Sequence, residues 1–228
     1  MPVKLLNIFL LLSLIGFLAI SCTKKNNHQE TNEEILDTIP VQMEKELENV
    51  DSEMSFEEAI AGSGAPQHIL DQLVLLEVRY FSTDENIHKG QILVNKKIEK
   101  DIVHIFEFML ENEFAVYQVV PIVKFDWDDM KSMEANNSSG FCYRDIMNSK
   151  IKSKHATGMA IDINPVFNPI RWKSPNKHRP NIPEGAVLDT AINGTLYPGH
   201  PVVEEMKQLG FRWGNRFSRY WDDHHFDK

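Results

Sequence analysis

The apolar positions of this chain fall into short runs whose spacing changes along the sequence. Over 69–79, Ile69, Leu73, Leu76 and Val78 recur at helical spacing, which predicts a helix facing a core. Residues 90–95, Gly-Gln-Ile-Leu-Val-Asn, read as a strand. Over 98–112, Ile102, Ile105, Phe106 and Met109 share one side of an amphipathic helix. The valine-rich stretch 115–125 has strand character. Met159-Ala160-Ile161-Asp162-Ile163 alternates, with Ala160 and Asp162 on the face opposite Ile161 and Ile163. A short helix is expected over 202–209, with Gly210 as its C-cap. Helices mixed with antiparallel strands predict an α+β domain, and no internal repeat is visible.

The N-terminal half-pattern is of another kind. Lys4 precedes a mostly apolar run over 5–20 that ends Ala19-Ile20-Ser21-Cys22. A charged start, an apolar core and small residues before a cut form a secretory signal over 1–21. The cysteine directly after them resembles a bacterial lipobox, with Cys22 the lipidated first residue of the mature chain. Ordinary signal cleavage and a single membrane anchor are the other readings, although a spanning helix needs about 20 apolar residues. Lipidation implies an exported protein, anchored to a membrane of the cell envelope on its periplasmic or surface face.

Between Thr23 and Glu58 there are 11 acidic residues, 3 basic ones and almost no aromatics. Such a composition cannot bury enough apolar surface to order itself, so 22–58 reads as an acidic tether, with a short helix around 42–50. Most of the net charge of −9 resides there. From Ala59 onward 20 basic residues face 22 acidic ones, so the folded part is nearly neutral and nothing suggests nucleic-acid binding. Residues 59–228 suit one domain, expected to be monomeric. Only Cys22 and Cys142 are present, so with Cys22 lipidated Cys142 has no disulfide partner. No thiol-protease signature surrounds Cys142, which reads as a small packed residue.

Candidate chemistry concentrates in two places. Ser153-Lys154-His155-Ala156-Thr157-Gly158-Met159-Ala160-Ile161-Asp162 offers a histidine and, seven residues later, an aspartate. The ending Trp221-Asp222-Asp223-His224-His225-Phe226 offers a second histidine and further acids. His155, Asp162 and His225 make a three-ligand set for zinc, of the kind that leaves a fourth position open for water. Gly158 permits a tight turn between the first two, and an aspartate inside an apolar strand is costly unless it is paired or binds a metal. A nearby carboxylate can then accept a proton from the water.

The S-x-H-x-x-G-x-A-x-D pattern with a terminal D-x-x-H resembles the peptidase M15 family of zinc D,D- and L,D-peptidases. The likeness extends to 128–144, ending Phe141-Cys142-Tyr143-Arg144, to Asp162-Ile163-Asn164-Pro165 and Asn168-Pro169, and to Gly210-Phe211-Arg212-Trp213-Gly214. It implies the Hedgehog/D,D-peptidase type of fold, with a central antiparallel sheet flanked by helices. It also implies zinc on His155, Asp162 and His225, Asp222 as the catalytic acid/base, and Arg144 polarising the scissile carbonyl. Ser153 would orient the metal site or the substrate. The implied substrate is a peptide of bacterial peptidoglycan, cleaved at L-Ala-D-Glu as by an endopeptidase or at D-Ala-D-Ala as by a carboxypeptidase. A rival of another class is a non-catalytic zinc- or wall-binding lipoprotein.

Two departures from the family stand out. Asp223 and His224 occupy positions that are usually an aromatic and a methionine; in an extended segment Asp223 would share a face with His225 and His224 would point away. Cys142 stands where the family often has Asn. The basic, turn-rich stretch 171–180 follows the ligand strand and reads either as a solvated loop or as a rim that attracts stem-peptide carboxylates. Tyr197, Trp213 and Trp221 are further candidates to line a cleft.

Overall fold

The computed structural model describes residues 49–228. The expected leader, Cys22 and most of the acidic segment lie outside the described residues. Strands β1 (Asn49–Val50), β2 (Leu73–Phe81) and β3 (Ile87–Asn95) form a sheet in the order β1-β3-β2. β2 and β3 are antiparallel from Leu73↔Asn95 to Phe81↔Ile87, and β1 runs parallel to β3. Of the stretch 42–50 expected to be helical, only Asn49 and Val50 lie among the described residues, and they form a strand.

Residues 49–58, assigned to the tether by composition, hold fixed partners. The Gln91 side chain accepts from the Ser52 hydroxyl and from Met54 N–H, both at 2.7 Å. Ser55 and Glu58 then close a reciprocal capping box on α1 (Phe56–Ile60), which supplies donors and acceptors that a bare helix start lacks.

The helix expected over 69–79 is not formed. α2 (Gln67–Leu70) covers only its first two residues, and β2 takes it from Leu73 onward. Four apolar residues fit either period over so short a stretch. The run Leu76, Val78, Tyr80 alternates with polar Glu77 and Arg79, and pairing with β3 decides between the two periods. The strand expected at 90–95 extends back to Ile87 as β3. α3 (Glu99–Glu111) matches its expectation and buries Ile102, Ile105, Phe106 and Met109 against β2.

The valine-rich 115–125 is strand only at β4 (Gln118–Val119), which pairs in parallel with β5 (Asn137–Ser138), beyond α4 (Asp129–Glu134). Pro121 has no N–H for a ladder, and a 3-10 turn, Ile122–Phe125, follows it. β6 (Ala160–Asp162) is a strand as expected and is buried on both faces. β7 (Ile170–Trp172) precedes α5 (Pro201–Gln208), which stops at the left-handed Gly210. β8 (Arg212–Trp213), β9 (Tyr220–Asp222) and β10 (His225–Asp227) complete the chain.

β10 lies between β6 and β8, while β9 pairs with β7. The architecture is α+β, and the strands of the described residues fall into four small sheets. One apolar core joins the faces of β2, β3, α3 and α5 to Ile161 and Ile163 beside β6 and to Phe226 of β10. The strands that carry the site are thus anchored in that core. No described helix is long and apolar enough to cross a membrane.

Candidate metal centre

Local structure delivers the three expected ligands separately. His155 sits in the 3-10 turn Lys154–Thr157, whose N-cap Ser153 accepts from His155 N–H through its hydroxyl. Gly158 ends the turn at φ +66°, a conformation L side chains rarely adopt, and lies against Asn95 and Leu73 where a Cβ would collide. The chain can then enter β6 at once. Asp162 ends that strand directly opposite His225 in the β6–β10 register, so the two side chains share a face.

The three ligand atoms converge. His155 Nε2 is 3.1 Å from His225 Nδ1 and 3.2 Å from Asp162 Oδ1, and His225 Nδ1 is 3.0 Å from Asp162 Oδ1. Neighbouring ligands in a tetrahedral zinc shell with bonds of about 2.0–2.1 Å lie roughly 3.3 Å apart. The triangle is close to that size.

The second nitrogen of each histidine is already engaged. His155 Nδ1 lies 2.6 Å from the Gly140 carbonyl, and His225 Nε2 lies 3.2 Å from Asp227 Oδ2. Each partner is an acceptor, so with a metal bound each would take the ring proton and leave the other nitrogen's lone pair for the shared point. Hydrogen bonds in both directions between Ser139 and Asp162 hold the Gly140 segment in place. All three residues are buried, and they are the one group among the described residues that could hold a metal ion. The donor set, spacing and outer partners fit zinc.

Charge is concentrated here. Burial would raise the Asp162 carboxyl, but the adjacent His155 and His224, with hydrogen bonds from His155 and His225, hold it well below the usual carboxylate range. In the metal-free chain burial works against protonation of His225, yet Asp162 and Asp227 lift it to about 10. His224 rises to about 9 against the same burial, through Asp222 and Asp162.

The neighbouring acids have distinct surroundings. Asp222 ends β9 in the same cleft as the ligands, with its Oδ1 3.0 Å from His224 Nε2. Asp223 is fully buried on another side: it takes Arg171 Nε at 2.6 Å and Asn215 Nδ2 at 2.6 Å. The expected sharing of a face between Asp223 and His225 is therefore corrected. The chain bends at Asp223–His224 between β9 and β10, which resets the alternation, and His224 lines the cleft instead of pointing away. His224 Nδ1 is tied to the Asn168 carbonyl at 2.7 Å. Gly214 lets the preceding segment lie against this bend, since a Cβ there would come within 2.8 Å of Asp222.

Arg144 reaches the same cleft from a hairpin. Its carbonyl accepts from Ser153 N–H, and the Asp145↔Lys152 bridge closes the hairpin above, so backbone hydrogen bonds tie Arg144 to the turn bearing His155. Asp129, in the first turn of α4, holds Arg144 Nε at 2.8 Å. Ser153 also lines the cleft, whose volume is about 670 Å³. Cys142 is buried beside these groups, and burial together with Asp129 pushes its thiol up to about 12, which leaves no thiolate at neutral pH. Tyr197 and Trp221 are not among the cleft residues, and Trp213 is packed in the core. Tyr220 and Phe217 line the cleft instead.

Sequence reasoning missed the supporting groups Gly140 and Asp227. Gly140 acts through its carbonyl, which leaves no side-chain signal. Asp227 had one: it stands two residues after His225 and so shares its face in a strand.

Residues 147–228 match a family model described as D-alanyl-D-alanine carboxypeptidase, a span that holds His155, Asp162, Asp222 and His225 and begins just after Arg144. No curated protein and no solved structure matches the chain. Over residues 147–228 the chain is similar to the peptidase M15 family, and the match supports a peptidase reading of the cleft.

Proposed function

We propose that the chain is a zinc-dependent peptidase that hydrolyses an amide bond in bacterial peptidoglycan stem peptides. The observation that carries this reading is the convergence of His155 Nε2, Asp162 Oδ1 and His225 Nδ1 within 3.2 Å, in a cleft that also holds Asp222 and Arg144. A zinc ion on these ligands would supply Lewis-acid chemistry, lowering the pKa of a water towards neutrality and polarising a carbonyl.

The chain's own residues do the rest. Asp222 accepts the proton of the attacking water and passes it to the leaving amine. Arg144, aimed by Asp129, donates to the oxyanion that develops on the scissile carbonyl. Ser153 fixes the turn that presents His155. A pure zinc- or wall-binder would need neither Asp222 nor Arg144 in the cleft.

The bond we assign is L-Ala-D-Glu, on the D-x-x-H ending. The description of the matched family favours D-Ala-D-Ala as the second reading. The overall arrangement belongs, on this proposal, to the Hedgehog/D,D-peptidase type, and Cys22 would tether the enzyme by lipid within the cell envelope. Purified peptidoglycan incubated with the zinc-loaded protein should gain free amino groups. Chelation should stop this and added zinc restore it; release that ignores a chelator would contradict the proposal.

A further inference from the structure

From the metal centre an unbroken row of rings leads outward along one wall. The Phe217 ring lies 5.7 Å from His225, Tyr220 lies 5.7 Å from Phe217, and Trp172 lies 5.7 Å from Tyr220. At the end, the Arg179 guanidinium sits 4.8 Å from the centre of the Trp172 ring. The β7–β9 register sets this order. Ile170 faces Asp222 and Trp172 faces Tyr220, so these four share one face, of which Ile170, Tyr220 and Asp222 line the cleft and Trp172 lies just outside it, whereas Arg171 and Trp221 take the other face.

Arg179 is held and unneutralised at once. The Trp172 indole N–H donates to the Pro180 carbonyl at 2.8 Å, which pins the loop over the ring, and Arg179 N–H donates to Asn176 O. Stacking on an indole orients a guanidinium while leaving its donor edge free. Arg171 spends its charge on Asp223, but no carboxylate of the described residues pairs with Arg179 or with the exposed Lys177 and Arg219.

We propose that Arg179 is a specificity-determining residue that binds a carboxylate of the peptide substrate remote from the cleaved bond. The inference rests on the peptidase reading above. Tyr220 stands two residues before Asp222 on β9, about 7 Å away, and the Trp172 ring and the Arg179 guanidinium follow at steps of 5.7 Å and 4.8 Å, which puts the guanidinium more than one residue of extended chain from Asp222. An extended peptide advances about 3.3–3.6 Å per residue, so the matching carboxylate belongs to a residue beyond the two that the scissile amide joins.

The test uses the zinc-loaded full chain and its Arg179→Gln variant on two stem pentapeptides, one with free side-chain carboxylates and one with those carboxylates amidated. Arg179→Gln should raise KM about tenfold for the free peptide, leave kcat unchanged, and change neither constant for the amidated one. The wild-type preference for the free peptide should also weaken with added salt. Equal losses on both peptides would make Arg179 structural and overturn the proposal. Unchanged kinetics on both would overturn it while leaving the peptidase reading intact. If the variant instead loses only binding to vesicles containing anionic lipid, the cation serves a membrane surface and the proposal fails. A wild-type chain that cleaves neither peptide would remove the function itself, and this inference with it.

Discussion

Asp222 and Asp223 are adjacent in sequence, yet their surroundings assign them different consequences. Asp222→Ala should keep zinc and lose turnover by a factor of about 10² or more, the usual scale for a general acid/base. Asp223→Ala should leave kcat per folded molecule within a few-fold but lower the melting temperature, because Arg171 and Asn215 lose a buried partner. Parallel measurement of zinc content, kcat and melting temperature separates them, and an exchange of the two phenotypes would show that the acid/base has been misassigned. For Arg144, both Arg144→Ala and Arg144→Lys should lose about 10²- to 10³-fold in kcat with zinc retained. A destabilised but fully active Arg144→Ala would reduce the residue to its ion pair with Asp129. The ligand identities were legible because few side chains bind zinc and their spacing left few choices. The orientations of Asp223 and His224 were not, because they depend on where β9 stops and β10 starts.

At the scale of elements, the β6–β10 register and the turn over Lys154–Thr157 make the metal triangle, and Asp227 extends it through β10. Asp227→Asn should weaken zinc affinity by about 10- to 100-fold, the usual cost of removing an outer hydrogen-bond partner. A competition titration against a chelating dye checks this, and unchanged affinity would contradict the role given to Asp227. The same titration run against pH tests the electrostatics. His225, lifted to about 10 in the metal-free chain, holds its extra proton at any pH below that value. Zinc must displace that proton, so affinity should rise by about tenfold per pH unit between about pH 6 and pH 8. A flat profile would mean that His225 is already neutral there. The long amphipathic α3 and the capped α5 could be read from spacing alone, as could the strand through Asp162. β2 could not: over 69–79 helical and strand periods fit the same apolar residues, and only its partner β3 discriminates. The small sheets also escaped, because two- and three-residue strands such as β4 and β8 are set by tertiary contact, with too few residues to show a period.

In the whole molecule, site and core are joined: Ile161 and Phe226 are core residues on β6 and β10, next to Asp162 and His225. Zinc binding should therefore add to folding stability, and chelation should lower the melting temperature of the intact chain. A melting temperature indifferent to chelator would mean that the metal does not bind where the ligands converge. The central claim is hydrolysis at this centre, and mass spectrometry of a defined stem pentapeptide after incubation with the zinc-loaded protein tests it most directly. The account predicts two fragments whose masses add up to the substrate plus one water, with the fragment pair identifying the bond. An intact pentapeptide, with zinc bound to His155, Asp162 and His225, would contradict it.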